Sequence, residues 1–133
     1  MLDFESDDGG LATLRTLWEH GTPSNGPGIA FSGNNVWATN VDGNFFNNAD
    51  EYLYLPRMDL SSVSDPTLSF YMSLNTFLSD GLSLEFFDQA SQDWSPLAAG
   101  EPDYQGNDDK GNASWSNFNY FAEYSLFLSL IHI

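Results

Sequence analysis

The chain alternates far more than it repeats at helix spacing. From Thr67 to Leu74 the residues Leu68, Phe70, Met72 and Leu74 share one face and Ser69, Tyr71 and Ser73 the other, the period of two that marks a half-buried strand. Leu82, Leu84 and Phe86 repeat the pattern after Ser79-Asp80-Gly81, so the two runs are expected to be neighbouring antiparallel strands joined by a loop carrying Asn75, Phe77 and Asp80. Upstream, Ile29 to Leu60 holds two aromatic-rich strand candidates around an Asp42-Gly43 turn, the second ending at Pro56 and an Asp59-Leu60 step. Helical spacing is confined to Gly10 to His20. There Leu11, Leu14, Leu17 and Trp18 approach it, but Thr13, Thr16 and the flanking glycines weaken it, leaving a short helical turn or an irregular strand. Turn signals recur at Gly21 to Gly28, Asp42-Gly43, Asp65-Pro66, Asp80-Gly81 and Asp88 to Asp93. These are the intervals of an all-β fold, an antiparallel β-sandwich or jelly roll.

A chain of 133 residues is one ordinary domain, and a domain of that size buries roughly two-thirds of its unfolded surface without needing a metal or a disulfide. Ala98 to Asn112 is polar and glycine-bearing, as expected of a long rim loop, and no solenoid repeat is present. After Ser114-Trp115-Ser116 the chain runs apolar to its end. Residues 1–127 read as a single β-sandwich module that is incomplete at its C-terminal end. Residues Leu128 to Ile133 read as a non-native read-through tail, resembling a translated adapter at the edge of an unfinished reading frame; a genuine terminal core strand is the alternative. A sandwich cut in this way would expose a hydrophobic edge prone to aggregate.

Charge narrows the partners. Nineteen Asp and Glu against three Lys and Arg give a formal charge of -16, a field that repels phosphate backbones and anionic headgroups, so neither nucleic acid nor membrane insertion is expected. The same carboxylates suit Ca²⁺, a hard cation that takes oxygen ligands, or simply a solvated acidic surface. Without cysteine there are no disulfides, thiolate metal sites or thiol nucleophiles. The first ten residues lack the basic start and apolar core of a signal peptide, and Met1 stands hard against the expected first strand, which leaves room for a signal peptide or whole domains upstream of this fragment.

Catalytic chemistry has little to work with. His20 and His132 are the only histidines, and no His-Glu-x-x-His, Gly-x-Ser-x-Gly or phosphate-binding loop occurs. A glycosidase carboxylate pair would need a cleft that the sequence does not display. Asn112-Ala113-Ser114 fits the N-glycosylation pattern, relevant only in a eukaryotic host.

Several short elements nevertheless occur in a suggestive order. Asp3-Phe4-Glu5, Trp18-Glu19-x-Gly21, Ser32-Gly33 with Trp37-x-Thr39-Asn40, Tyr52-Leu53 with Leu55-Pro56-x-Met58-Asp59-Leu60, Leu68-Ser69-Phe70 and Asp80-Gly81 span Asp3 to about Leu97. Together they resemble the MAM-like jelly-roll modules of secreted bacterial proteins, which accompany immune-inhibitor-A-type metallopeptidases and cleaved adhesins. The resemblance implies a non-catalytic sandwich of concanavalin- or galactose-binding-like type, holding a structural Ca²⁺ and appended to an enzyme or adhesin. Two departures stand out: the cysteines of animal MAM domains are absent, and so is the closing Gly-aromatic-x-x-Asp-Asp strand that often supplies a Ca²⁺ ligand.

The resemblance implies Glu5 and Asp3 as metal ligands. If the segment is a strand, alternation places both carboxylates on one face and Phe4 on the other. Asp42, Asp50 and Asp80 are loop carboxylates able to complete a site, or plain turn residues. Asn107 to Asn112 is dense in oxygen but lacks EF-hand spacing.

The sequence also carries four Trp, six Tyr and eleven Phe. Trp94, Tyr104 and Trp115 lie in the loop-rich second half and are candidates for stacking on sugar rings, or for packing on the rim, whereas Trp18 and Trp37 belong among core positions. The sequence therefore reads as a Ca²⁺-stabilised accessory or adhesion module, not an enzyme, of an extracellular or cell-surface protein. Its expected partners are the neighbouring domains and a glycan or surface protein. The alternatives are a carbohydrate-binding module and a hydrolase in its own right.

Overall fold

The computed structural model describes residues 2–15, 17–76, 80–97, 104, 106–107, 113–116 and 119–127. The chain groups into two compact units, Met1–Met58 and Asp59–Ile133. Among the described residues there is no helix, and every strand pair is antiparallel. The protein is all-β, the class expected of a β-sandwich. No described helix is long and apolar enough to cross a membrane.

The first unit carries four short strands: β1 (Ala12–Thr13), β2 (Glu19–Gly21), β3 (Val36–Ala38) and β4 (Leu53–Tyr54). β1 pairs with β4, placing Ala12 opposite Tyr54, and β2 pairs with β3, placing His20 opposite Trp37. Leu11 and Pro23 are its buried residues among those described. The described residues of Gly10 to His20 thus hold β1 and the start of β2 rather than a helical turn, and the Thr13 hydroxyl donates to Arg15 O at 2.6 Å.

No hairpin forms about Asp42-Gly43, because its two flanks pair elsewhere. Side chains have taken over the turn: Asn40 Oδ1 accepts from Asp42 N at 3.2 Å and Asn40 Nδ2 donates to Asn44 O at 3.0 Å. Amides that satisfy loop backbone in this way compete directly with a sheet ladder.

The expected first strand around Asp3-Phe4-Glu5 is absent for the same reason. Asp3, Asp7 and Asp8 each accept a hydrogen bond from the backbone N–H two residues on, at 3.2, 2.8 and 2.9 Å. Such turns curl the chain, and Phe4 takes a φ of 61°, so alternation across a strand does not apply to Asp3 and Glu5.

The second unit carries β5 (Thr67–Asn75), β6 (Gly81–Leu82), β7 (Glu85–Asp88), β8 (Asp93–Pro96), β9 (Gly106–Asn107), β10 (Ala113–Ser116) and β11 (Asn119–Phe127). β5 alternates as its sequence predicts, with Met72 buried, Leu68, Phe70 and Leu74 half-buried, and Ser69, Tyr71 and Ser73 exposed. Its partner differs from expectation. β5 pairs along its whole nine-residue length with β11, from Asn75 opposite Asn119 to Thr67 opposite Phe127. The run after Asp80-Gly81 divides instead, β6 joining β10 and β9 in a three-stranded sheet and β7 pairing with β8. A nine-residue ladder satisfies more backbone groups than two short runs could.

The core of this unit is Met72 and Trp115, with Phe70, Leu74, Leu82, Leu84 and Tyr104 against them. Trp115 meets Tyr104 edge-on at 4.9 Å and Phe70 at 6.3 Å between ring centroids. The Tyr104 hydroxyl donates to Leu97 O at 2.8 Å and accepts from Leu84 N at 3.0 Å, so its one polar group is satisfied both ways and fixes the ring. Trp115 is fully buried. Trp115 and Tyr104 therefore do not present the exposed stacking faces expected of them: Trp115 is buried together with its neighbour Ser114, and the half-buried Tyr104 is held beside the indole by its hydroxyl. The suspected tail, residues 128–133, lies outside the described residues, as does most of the oxygen-rich stretch 107–112.

Candidate functional site

The most connected polar arrangement in the first unit centres on Glu5. Its Oε1 accepts the backbone N–H groups of Asn34 and Asn35, both at 2.8 Å, and its Oε2 accepts Asn34 Nδ2 at 3.3 Å. Gly33 makes this approach possible. It sits at φ +67°, and a β-carbon there would fall on the carboxylate, 2.5 Å from Glu5 Cδ. The Asn35 and then the Asn34 backbone N–H hold the Glu5 carboxyl below its ordinary range, against a desolvation that acts the other way, with smaller help from Asn34's amide and from His20.

Two further contacts fix the curled N-terminal segment to the β2–β3 pair. His20 Nε2 donates to Phe4 O at 2.7 Å, and Trp37 Nε1 donates to Asp8 O at 2.9 Å. The rings follow: His20 lies 5.7 Å from Trp37 and 6.4 Å from Phe4, centroid to centroid. Phe4 folds back over Gly9, where a β-carbon would meet its Cε1 at 2.9 Å. Glu19 extends the network by accepting Val41 N through Oε2 at 3.0 Å. The loops beyond are joined by Ser24 N to Val41 O at 2.7 Å, Thr22 Oγ1 to Asn35 Oδ1 at 2.9 Å and Asn25 Nδ2 to Asn44 Oδ1 at 3.3 Å.

The residues expected as metal ligands are distributed as follows. Asp3 is exposed and its Oδ1 faces Glu5 N; Asp42 and Asp50 are exposed in the first unit; Asp80 is half-buried before β6 in the second. Among the described residues no three His, Asp or Glu side chains come together as a metal ion would require. The partners seen at Glu5 are N–H donors, which is the chemistry of an anchor for the loop at Gly33 to Asn35.

Of the aromatic candidates, Trp94 is 46% exposed and pairs across the β7–β8 hairpin with Phe87, which is 40% exposed, their rings edge-to-face at 5.5 Å. The register places Glu85 opposite Pro96 two residues along, both exposed on the same face. The hairpin's turn is closed by Asp88, whose carboxylate accepts Ala90 N at 2.8 Å and Ser91 Oγ at 3.0 Å and is held below its ordinary range by those bonds.

The sequence points to Glu5 but carries no mark of what it binds. Asn34 and Asn35 contribute backbone N–H groups, which leave no side-chain signature; the glycine at 33 was the available signal. No family model matches the chain. No solved structure matches it. Over 56 residues, 41% of its length, the chain is 45% identical to Bacillopeptidase F of Bacillus subtilis (strain 168), and that stretch is 4% of the peptidase. The chain is thus similar to one small segment of a much longer protein whose name is that of a peptidase.

Proposed function

We propose that the chain is a non-catalytic accessory module, of MAM-like jelly-roll type, in a secreted multidomain protein, with a structural or adhesive role outside the cell or at its surface. The observation that carries this reading is the similarity to 56 residues of a peptidase, 4% of its length. A catalytic domain ordinarily needs on the order of 100–150 residues, so a match of this size fits an appended part. His20 supports the reading, since its Nε2 is committed to Phe4 O. Neighbouring domains of the same chain are the first partners this predicts. Attaching or deleting the module in a full-length peptidase should leave hydrolysis of a small peptide unchanged, and the isolated chain should hydrolyse nothing; turnover by the isolated chain would refute it.

Calcium stabilisation is the separable part of the proposal. As placed, both described oxygens of Glu5 accept N–H donors, so the residues present do not form a ready calcium site, and an ion would have to displace Asn34's amide from Oε2. Thermal unfolding with Ca²⁺ and with chelator, in wild type and Glu5→Gln, decides it. A ligand that binds only the native state at about 100 times its Kd adds about 2.7 kcal/mol, a shift of several degrees. Equal midpoints with Ca²⁺ and chelator would leave a calcium-free module with Glu5 as a loop anchor.

The exposed Phe87–Trp94 pair favours a second reading, a carbohydrate-binding module that stacks a neutral pyranose on the hairpin with Glu85 accepting from its hydroxyls. Binding to neutral polysaccharides that disappears in Trp94→Ala while the fold survives would establish it.

A further inference from the structure

We infer that Asn25-Gly26 is a self-modifying site, at which the folded protein converts Asn25 to aspartate and isoaspartate through a cyclic imide. The reaction needs an unengaged backbone nitrogen, a following residue without a β-carbon, and space for a five-membered ring. The sequence offers four steps from an aspartate or asparagine to glycine: Asp8-Gly9, Asn25-Gly26, Asp42-Gly43 and Asp80-Gly81.

The structure separates them. Gly9 N donates to Asp7 Oδ1 at 2.8 Å and lies under Phe4. Gly43 is crowded by Asn40, whose Nδ2 would lie 2.8 Å from a β-carbon there. Gly81 sits in the β6–β10 ladder opposite Ser116. Gly26 alone of the four is open: it is exposed, a β-carbon there would meet nothing within 4 Å, and its N–H finds no acceptor among the described residues. Gly28 N donates to Asn25 O at 3.1 Å, closing a turn with Gly26 at φ +67° on its first corner. Asn25 is itself exposed, and its side chain is held by one long bond to Asn44.

The chemistry balances with water alone. The Gly26 nitrogen gives its proton to solvent base and bonds to Asn25 Cγ; the Cγ–Nδ2 bond breaks and ammonia leaves. Water then opens the imide at either carbonyl, giving aspartate or isoaspartate, with nothing oxidised or reduced. Because the attacking nitrogen must first lose its proton, the rate rises with pH. In the product a carboxylate oxygen faces Asn44 Oδ1 where an N–H stood. Two acceptors then oppose each other, and the side-chain tie between residues 22–28 and 40–44 is lost. Ser24 N to Val41 O remains as the backbone tie.

The test is to hold the intact chain at mildly alkaline pH, native and in denaturant, and to map isoaspartate by enzymatic methyl labelling and peptide mass spectrometry. Each site's native rate is taken relative to its own denatured rate. The expected result is a ratio near unity at Asn25 and a several-fold lower ratio at Asp8, Asp42 and Asp80, with Asn25→Gln abolishing the signal at that position. An Asn25 that stays intact in the native chain while the denatured chain converts would overturn the inference, as would ratios at Asp8 and Asp80 equal to that at Asn25.

Discussion

Glu5 and Gly33 form a pair in which each residue's identity is explained by the other. The carboxylate needs to reach the Asn34 and Asn35 N–H groups, and only a residue without a β-carbon lets it pass. Gly33→Ala therefore carries two costs. One is the left-handed backbone, about 1–2 kcal/mol for an ordinary L-residue; the other is the clash with Glu5. Urea unfolding should show Glu5→Ala relieving the second cost but not the first, so the double variant loses less stability than the two single variants added together. Strict additivity would mean the contact is not made. The pH dependence follows from the same bonds. The folded pKa of Glu5 is depressed, so its contribution is fully present above the unfolded value, about 4.3, and is lost as pH falls through the folded value. Glu5→Gln should remove that part of the acid limb.

At the scale of elements, the β5 and β10 strands decide what the second unit tolerates. Trp115, fully buried between Tyr104 and Phe70, should cost about 3–5 kcal/mol on truncation to alanine. Trp94, on the exposed face of the β7–β8 hairpin, should cost about 0.2–1 kcal/mol, the worth of a cross-strand pair. Denaturant midpoints that reversed this order would contradict the burial of one and the exposure of the other. The alternation of β5 was legible from Leu68, Phe70, Met72 and Leu74 because burial on one face writes itself into composition. Its pairing with β11 was not, since register with a strand some fifty residues away depends on which long partner is free. The burial of Trp115 was not legible because Ser114 and Ser116 beside it look like loop, and Ser114 is buried along with it, so no period-two pattern marks the inward face. The curled segment from Asp3 to Gly10 misled in the opposite sense: three aspartates that bond their own backbone override the apparent strand. Of the site, the carboxylate could be found by its resemblance, but its partners are main-chain N–H groups 29 and 30 residues away.

Across the whole molecule, a formal charge of -16 acts on every folded state the chain can adopt. Three basic residues cannot neutralise it, and Arg15, 3.5 Å from Glu51 and largely exposed, approaches a carboxylate oxygen without the alignment of a hydrogen bond. Like charges brought together by folding repel, so screening should stabilise the protein: the Debye length falls from about 10 Å at 0.1 M to about 3 Å at 1 M salt. Raising sodium chloride over that range should raise the melting midpoint. The field also sets the control that any calcium experiment requires. If Ca²⁺ and Mg²⁺ at matched ionic strength shift the midpoint equally, the effect belongs to the charge of the molecule; a surplus for Ca²⁺ that Glu5→Gln removes belongs to a site. Acid poses the same competition in another form. Protonating exposed carboxylates relieves repulsion and stabilises, while protonating Glu5 releases the Gly33–Asn35 loop and destabilises. Wild type should therefore be most stable within the carboxylate range, where ordinary carboxylates have begun to take protons and Glu5, held lower, has not, with Glu5→Gln moving that maximum to lower pH. An unmoved maximum would mean that general repulsion, rather than the Glu5 anchor, governs the acid response.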